Sequence, residues 1–228
     1  AASDVYKRQT NTFYGTGFSM SNYAGLSEWT HLVVVADGSN SKFYVNGQKV
    51  GNDVSAVVNV TVRQLGSYSR GYQTFAEGID EFAYWDSALT PGQIATIYNS
   101  SEKLDVLAPP PSIPTPYLYL DGSSATPQIG DSSNVVNLGS AALITNNGKY
   151  DSKSFGFGTS GNKAPIRLNN LDLSTGIYSV SLWFYNKRSE NDFGTILRQG
   201  GTGPSSAYYP AGTHQTTNEL GLHLGNGT

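Results

Sequence analysis

Apolar and polar positions along most of this chain have the spacing of β-strands. The run Trp29–Ala36 is almost continuously apolar and β-branched, which is typical of a strand covered on both faces. The segment Lys42–Val50 contains the dipeptide Asn46-Gly47. A type I′ hairpin turn prefers this pair because both central residues need positive φ. The pattern therefore predicts two antiparallel strands joined by a tight turn.

Short apolar or alternating segments predict further strands. These are Thr61–Gly66, Gly78–Trp85, Tyr117–Leu120, Ile177–Tyr185, Thr195–Arg198 and Glu219–Leu224. Strict alternation within the second of them would divide its side chains between two faces. One face would hold Asp80, Phe82 and Tyr84, and the other Ile79, Glu81, Ala83 and Trp85.

One short helix is predicted after the strand that ends at Trp85. Thr90 is a typical N-cap residue, Pro91 suits the first helical position, and Gln93 completes a capping box. Apolar positions then continue for about two turns, to Tyr98. Many short strands with one short helix predict an all-β fold, an antiparallel β-sandwich.

Composition narrows the possible functions of the 228 residues. There is no cysteine, which excludes disulfides, thiolate metal sites and a cysteine nucleophile. The net charge is −3 and no long basic run occurs, which argues against nucleic acid as a partner. No apolar stretch approaches the length of a membrane span, so no membrane insertion is expected.

A proline-rich linker divides the chain. Residues 101–116 contain five prolines, which favour extended backbone. We expect residues 10–100 and 117–228 to be separate halves. Residues 1–9 differ in character from the rest of the chain and are interpreted as a non-native remnant. The whole chain is interpreted as a window cut from a longer polypeptide.

Several motifs of the first half resemble the C-terminal half of a laminin G-like domain, of the concanavalin A-like jelly-roll superfamily. They occur in the family's order over about residues 28–98. The motifs are Trp29-Thr30-His31, Asp37-Gly38, Phe43–Gly47, Gly78–Phe82 and Ala88-Leu89-Thr90. In the second half, Ile177–Phe184 resembles a strand from the N-terminal half of the same domain type, less distinctively. The resemblance implies a tandem array cut out of phase.

We therefore expect residues 117–228 followed by 10–100 to correspond to one nearly complete domain. The hypothesis is that both halves pack into one circularly permuted jelly-roll sandwich, since domain termini often lie close together. The alternative is two incomplete sheets with open edges, which would aggregate.

Catalysis is not predicted, and no catalytic residue is assigned. Related folds include β-glucanases with a carboxylate array along one strand, and Glu77, Asp80 and Glu81 are the nearest candidates. By strict alternation, Glu77 and Glu81 are about 13 Å apart and Asp80 points the other way. A retaining glycosidase needs two carboxyls about 5–5.5 Å apart. Of the three histidines, His31 is interpreted as a hydrogen-bonded core residue rather than a base.

A structural calcium ion is a further implication of the resemblance. The family's aspartate in this motif, here Asp80, is a candidate ligand, and Asp121 could supply a second oxygen. The alternative for Asp80 is a carboxylate that accepts backbone N–H bonds. Both interpretations stay open at this point.

Four tyrosines are candidate ligand-binding residues, since sugars stack on aromatic rings and binding residues cluster on loops. They are Tyr68 and Tyr72 in one loop and Tyr208 and Tyr209 in another. Ordinary surface tyrosines are the alternative. The resemblance implies a non-catalytic extracellular or surface-displayed recognition module, carbohydrate-binding or adhesive. Its partners would be a glycan or surface protein and neighbouring repeats of the same chain. A spacer repeat or an accessory domain of a glycoside hydrolase remain alternatives.

Overall fold

A computed structural model describes most of the chain. The described residues are 12–23, 27–66, 76–104, 112–124, 127, 129–130, 143–157, 166–185, 194–199, 209–214 and 217–224. They form fourteen strands, one 3₁₀ turn at Met20–Tyr23 and one α-helix, α1, at Pro91–Tyr98. No described helix has the length and apolar character needed to cross a membrane.

The first half contributes six strands and the second half eight. The first six are β1 (Thr12–Ser19), β2 (Trp29–Asp37), β3 (Ser41–Val45), β4 (Gln48–Val54), β5 (Thr61–Leu65) and β6 (Gly78–Trp85). The others are β7 (Leu118–Leu120), β8 (Leu143–Thr145), β9 (Ser154–Gly156), β10 (Ile166–Asp172), β11 (Ile177–Tyr185), β12 (Gly194–Arg198), β13 (Tyr209–Thr213) and β14 (Glu219–Leu224).

Two antiparallel sheets are formed, and each contains strands from both halves. The six-stranded sheet has the order β1-β14-β13-β12-β5-β10, and the other has the order β4-β3-β2-β11-β6-β9-β8, with β7 also paired to β6. Strand β11 of the second half lies between β2 and β6 of the first. The two halves therefore share one antiparallel β-sandwich, as the permutation hypothesis requires. The division into two half-repeats remains a prediction.

The main core lies between the two sheets. Phe43, Phe82, Leu182 and Phe184 of the eight-stranded sheet are buried there, together with Leu197 from the six-stranded sheet. The pairing of β11 with β2 is continuous over nine residue pairs, from Ile177 opposite Asp37 to Tyr185 opposite Trp29. These two strands are the longest of the eight-stranded sheet, which explains why their sequence pattern was the most easily recognised.

A second, smaller core covers the outer face of the eight-stranded sheet, the face that points away from the six-stranded sheet. Helix α1 packs there through Ile94 and Ile97, next to Val33, Trp85 and Ile113. The helix begins as predicted: the Thr90 side chain accepts from the Gln93 backbone N–H, and the Gln93 side chain completes the capping box. The linker thus helps to cover this face through Ile113.

Strict alternation along β6 was wrong at one point. Ile79 lies in the main core with Phe82 and Tyr84, not on the opposite face with Ala83 and Trp85. The register with β11 shifts between the pairs Ser181–Ala83 and Trp183–Asp80. One extra residue is therefore inserted in β6, and such a bulge changes which face the neighbouring side chains occupy.

Candidate functional site

The bulge in β6 brings two acidic side chains onto the outer face. Asp80 lies directly opposite Trp183, so the two side chains share a face. Glu81 is the inserted residue, and its φ of 51° is in the left-handed region. Non-glycine residues rarely adopt this conformation, and it often occurs at functional sites. Both carboxyls are buried, with 1% and 6% of the respective residues exposed.

Asp80 is held by backbone donors from two segments. Its Oδ1 accepts from the Glu81 N–H at 2.9 Å, and its Oδ2 accepts from the Lys149 N–H at 2.7 Å. Burial raises the pKa of Asp80 to about 7, although the two N–H bonds oppose the change. The second interpretation of Asp80, a carboxylate that accepts backbone N–H bonds, describes these contacts.

Glu81 is bonded to one residue within the proline-rich linker and to one in β7. Its Oε2 accepts from the Tyr119 hydroxyl and, at 3.4 Å, from the Leu104 N–H. Burial raises the pKa of Glu81 to about 8, and the negative charge of Asp80 contributes to the same change. A neutral, protonated Glu81 is therefore the form that the folded protein favours near neutral pH.

Asp121 joins the same acidic group from the end of β7. Its Oδ1 accepts from the N–H and hydroxyl of Ser123, and its Oδ2 lies 3.3 Å from Lys103 Nζ. Lys103 also lies 3.8 Å from a carboxylate oxygen of Asp151. Lys103 therefore pairs with Asp121 and Asp151, the two carboxylates of this acidic group that do not lie on β6.

The two predicted calcium ligands have hydrogen-bonding or charged partners within the protein. Both oxygens of Asp80 accept backbone N–H bonds, and those of Asp121 face Ser123 and Lys103. Within the described ranges, no three or more acidic or histidine side chains are grouped as metal ligands. Calcium at Asp80 and Asp121 therefore stays a prediction without a ligand set in this part of the chain.

Beside the acidic group lies an aromatic corner, which we define as Trp183, Tyr98, Tyr150 and His31. The Trp183 ring is stacked with Tyr98 at a centroid distance of 5.8 Å. Tyr150 meets Trp183 edge-on, at 5.9 Å and an interplanar angle of 85°. Trp183 is 4% exposed, whereas the two tyrosines are half-buried. The corner is thus open to solvent along its tyrosine side.

His31 forms the base of the aromatic corner. Its Nε2 lies 2.8 Å from Ser181 Oγ, and its ring stacks on Tyr98 at 5.9 Å. No described residue forms a hydrogen bond with its Nδ1. Burial, followed by the positive charge of Lys149, lowers the pKa of His31 to about 3. The imidazole is therefore neutral near neutral pH, in agreement with the core interpretation of this residue.

Lys149 places a cation inside the aromatic corner. Its Nζ lies 4.0 Å from the Trp183 ring centroid and 5.3 Å from that of Tyr150. Desolvation lowers the pKa of this half-buried lysine. Within the described residues, no carboxylate lies within ion-pair distance of its ammonium. Ring faces are thus its direct partners there.

Two neighbouring features extend the surface around the corner. The half-buried rings of Trp29 and Tyr185 meet at 5.5 Å, further along β2 and β11. On the other side, the Tyr150 hydroxyl donates to the Ser100 carbonyl. Ser100 helps to line an open depression of about 520 Å³ at the end of α1.

The four tyrosines predicted to bind ligand are not among those of the aromatic corner. Tyr68, Tyr72 and Tyr208 lie outside the described residues, and so does the side chain of Tyr209, whose backbone begins β13. Their predicted role stays a prediction. The residues of the aromatic corner were not predicted, because Tyr98, Lys149 and Trp183 are far apart in the chain. The sequence did mark two relevant segments, the strand pattern that contains Trp183 and the Gly78–Glu81 motif. Only the structure shows that these two strands pair.

Comparison with protein families supports the resemblance drawn from the motifs. Residues 6–95 match the family model for laminin G domains of the concanavalin A-like lectin/glucanases superfamily. This part of the chain is laminin G-like, and the sandwich is consistent with that superfamily. Comparisons with curated proteins and with solved structures gave no match.

Proposed function

We propose that this chain is a non-catalytic recognition module that binds carbohydrate through the aromatic corner. The observation that supports the proposal is the set of half-buried tyrosine rings, Tyr98 and Tyr150, on either side of Trp183. Aromatic rings bind the apolar faces of sugars, and a few polar groups beside such rings fix orientation. The match to the laminin G and concanavalin A-like family also favours a lectin-like or adhesive module.

The absence of catalysis is part of this proposal. A glycosidase needs two carboxyls that reach opposite sides of one scissile bond. Asp80 and Glu81 are adjacent in the bulge, almost completely buried, and bonded to donors of the protein itself. Burial in the protein is the main cause of the raised pKa values of Asp80 and Glu81, so these values do not indicate a catalytic role. We therefore assign them a role in holding β6, β7 and the segment around Lys149 together.

The proposed setting is an extracellular or surface-displayed protein that contains further repeats of this type. A spacer repeat without a small ligand, or an accessory domain of a glycoside hydrolase, would use the same sandwich. The spacer alternative does not require half-buried rings beside a lysine, because a spacer needs no binding surface. An accessory domain would use such a surface, so the corner favours recognition over the spacer alone. The aromatic corner is therefore the feature that favours recognition.

A glycan array tests the proposal, with parallel samples in calcium and in EDTA. We expect binding in both, because the corner contains no calcium ligand among the described residues. Tyr150→Ala should weaken the signal strongly. Tyr117→Ala is the matched control, since Tyr117 is 55% exposed and packs edge-on against Tyr84 rather than in the corner. No binding by a sample with a cooperative melt would refute carbohydrate recognition. Binding lost in EDTA would support the calcium prediction.

A further inference from the structure

We infer that the sugar recognised at the aromatic corner carries a free amino group, whose ammonium replaces that of Lys149 against Trp183 and Tyr150. This inference rests on the proposed function and specifies the class of ligand at the same site. It starts from the place where a cation already lies in the folded chain.

The geometry of the corner suits an ammonium group. The perpendicular rings of Trp183 and Tyr150 form two walls, and Lys149 Nζ lies 4.0 Å and 5.3 Å from their centroids. Both distances are within the roughly 6 Å over which an aromatic face attracts a cation. The same faces have no equivalent attraction for an amide or a hydroxyl group. The corner therefore distinguishes a free amine from its acetylated form.

The acidic group beside the corner bears on the charge of the ligand. Its four residues, Asp80, Glu81, Asp121 and Asp151, interact electrostatically with one another, and Lys103 pairs with two of them. Lys149 lies in the corner itself, where desolvation lowers its pKa, and its ammonium contacts ring faces and not a described carboxylate. A ligand ammonium in place of Lys149 would make the same ring contacts. An anionic sugar would instead add negative charge beside buried carboxyls.

Lys149 can leave the corner without unfolding the segment that carries it. The described hydrogen bonds and ion pairs of this segment do not involve the ammonium group of Lys149. The Lys149 backbone N–H donates to Asp80, the Tyr150 hydroxyl donates to the Ser100 carbonyl, and Asp151 lies 3.8 Å from Lys103. The side chain is half-buried, and its ammonium contacts ring faces. Residues 146–153 contain neither helix nor strand, so no ladder of backbone hydrogen bonds fixes this segment. Lys149 thus acts as an internal competitor for the ligand cation.

The test compares glucosamine oligomers with N-acetylglucosamine oligomers of equal length, below the pKa of the amine. We expect the unacetylated oligomer to bind more tightly. Lys149→Gln should tighten its binding by about 3- to 10-fold, because the internal competitor is removed. The same variant should leave the acetylated oligomer unchanged. Lys153→Gln, an exposed lysine of the same segment, is the matched control and should alter neither oligomer.

A second variant keeps the inference falsifiable if Lys149→Gln fails to fold. Tyr150→Leu removes one wall and should abolish the preference for the free amine. Equal binding of both oligomers, or weaker glucosamine binding by Lys149→Gln, would overturn the inference and leave carbohydrate recognition standing. Binding of a lysine oligopeptide but of neither oligomer would overturn it in favour of a protein ligand. No binding to any glycan would overturn both proposals.

Discussion

Replacing Glu81 by Gln should remove a large part of the pH dependence of stability. The pKa of Glu81 is raised from an ordinary 4.5 to about 8, chiefly by burial and also by Asp80. Because the folded-state pKa is higher than the unfolded one, the folded protein holds this proton more tightly. The resulting stabilisation is fully present below pH 4.5 and is lost as the pH rises to about 8.

The size of the stability change depends on the interval between the unfolded and folded pKa values of Glu81, 4.5 and about 8. Each pH unit between the two pKa values changes the free energy of unfolding by about 1.4 kcal/mol per group. Between about pH 5 and about pH 8, the wild type should therefore lose on the order of 4 kcal/mol relative to Glu81→Gln. Glutamine cannot ionise, and its carbonyl oxygen can still accept from Tyr119 and Leu104. The two proteins should have similar stability at the acidic end.

Urea unfolding of both proteins across this pH range, in EDTA, measures the difference. The lowered pKa of His31 makes the fold less stable as the pH falls below 6.5, but this contribution is common to both proteins and cancels. Glu28→Gln, at an exposed position, serves as the control for losing one surface carboxyl. Parallel stability curves for wild type and Glu81→Gln would refute the assignment of a protonated, buried Glu81.

Three further predictions concern the same region. Gly122→Ala should destabilise the fold by roughly 1–3 kcal/mol, because Gly122 has φ of +75° and a Cβ would lie 2.5 Å from Asp80 Oδ1. The control is Gly92→Ala, whose Cβ would meet no atom closer than 4.0 Å. It should be neutral within about 0.5 kcal/mol in the same thermal melt. The imidazole of His31 should stay neutral down to about pH 3, and an NMR titration midpoint near 6.5 would contradict its burial. Cleavage within residues 101–116 should leave both pieces bound on gel filtration, because β11 pairs with β2 and β6; separate elution of the pieces would rule out a shared sandwich.

Local patterns predicted most of the elements that proved to be regular. The Asn46-Gly47 turn, the capping box at Thr90 and the apolar run of β2 are all produced by interactions within a few residues. Strands β1, β8, β9, β10 and β13 were not predicted. Strand β8 has only three residues, and the other four contain glycine, asparagine or proline and show no clear alternation. The conformation of all five depends on neighbours that are distant in the chain.

For the candidate site, the sequence named Asp80 and Asp121 as metal ligands, which stays a prediction. Strict alternation placed Asp80 and Ile79 on the wrong faces of β6. A bulge has no reliable signal in a single sequence, because pairing with β11 and contacts with Tyr119 and Lys149 hold the inserted Glu81 and its neighbour in place. The carboxyl pair therefore became visible only in three dimensions.

The sequence by itself determined the all-β class, the laminin G-like motifs and their order, since these depend on local propensity and spacing. Tertiary structure decided how the two halves pair across the linker. It also decided that Tyr98, Lys149 and Trp183 meet in one corner beside Asp80. The physical reason is that hydrophobic periodicity specifies which face of a strand is buried, but not which distant strand covers it.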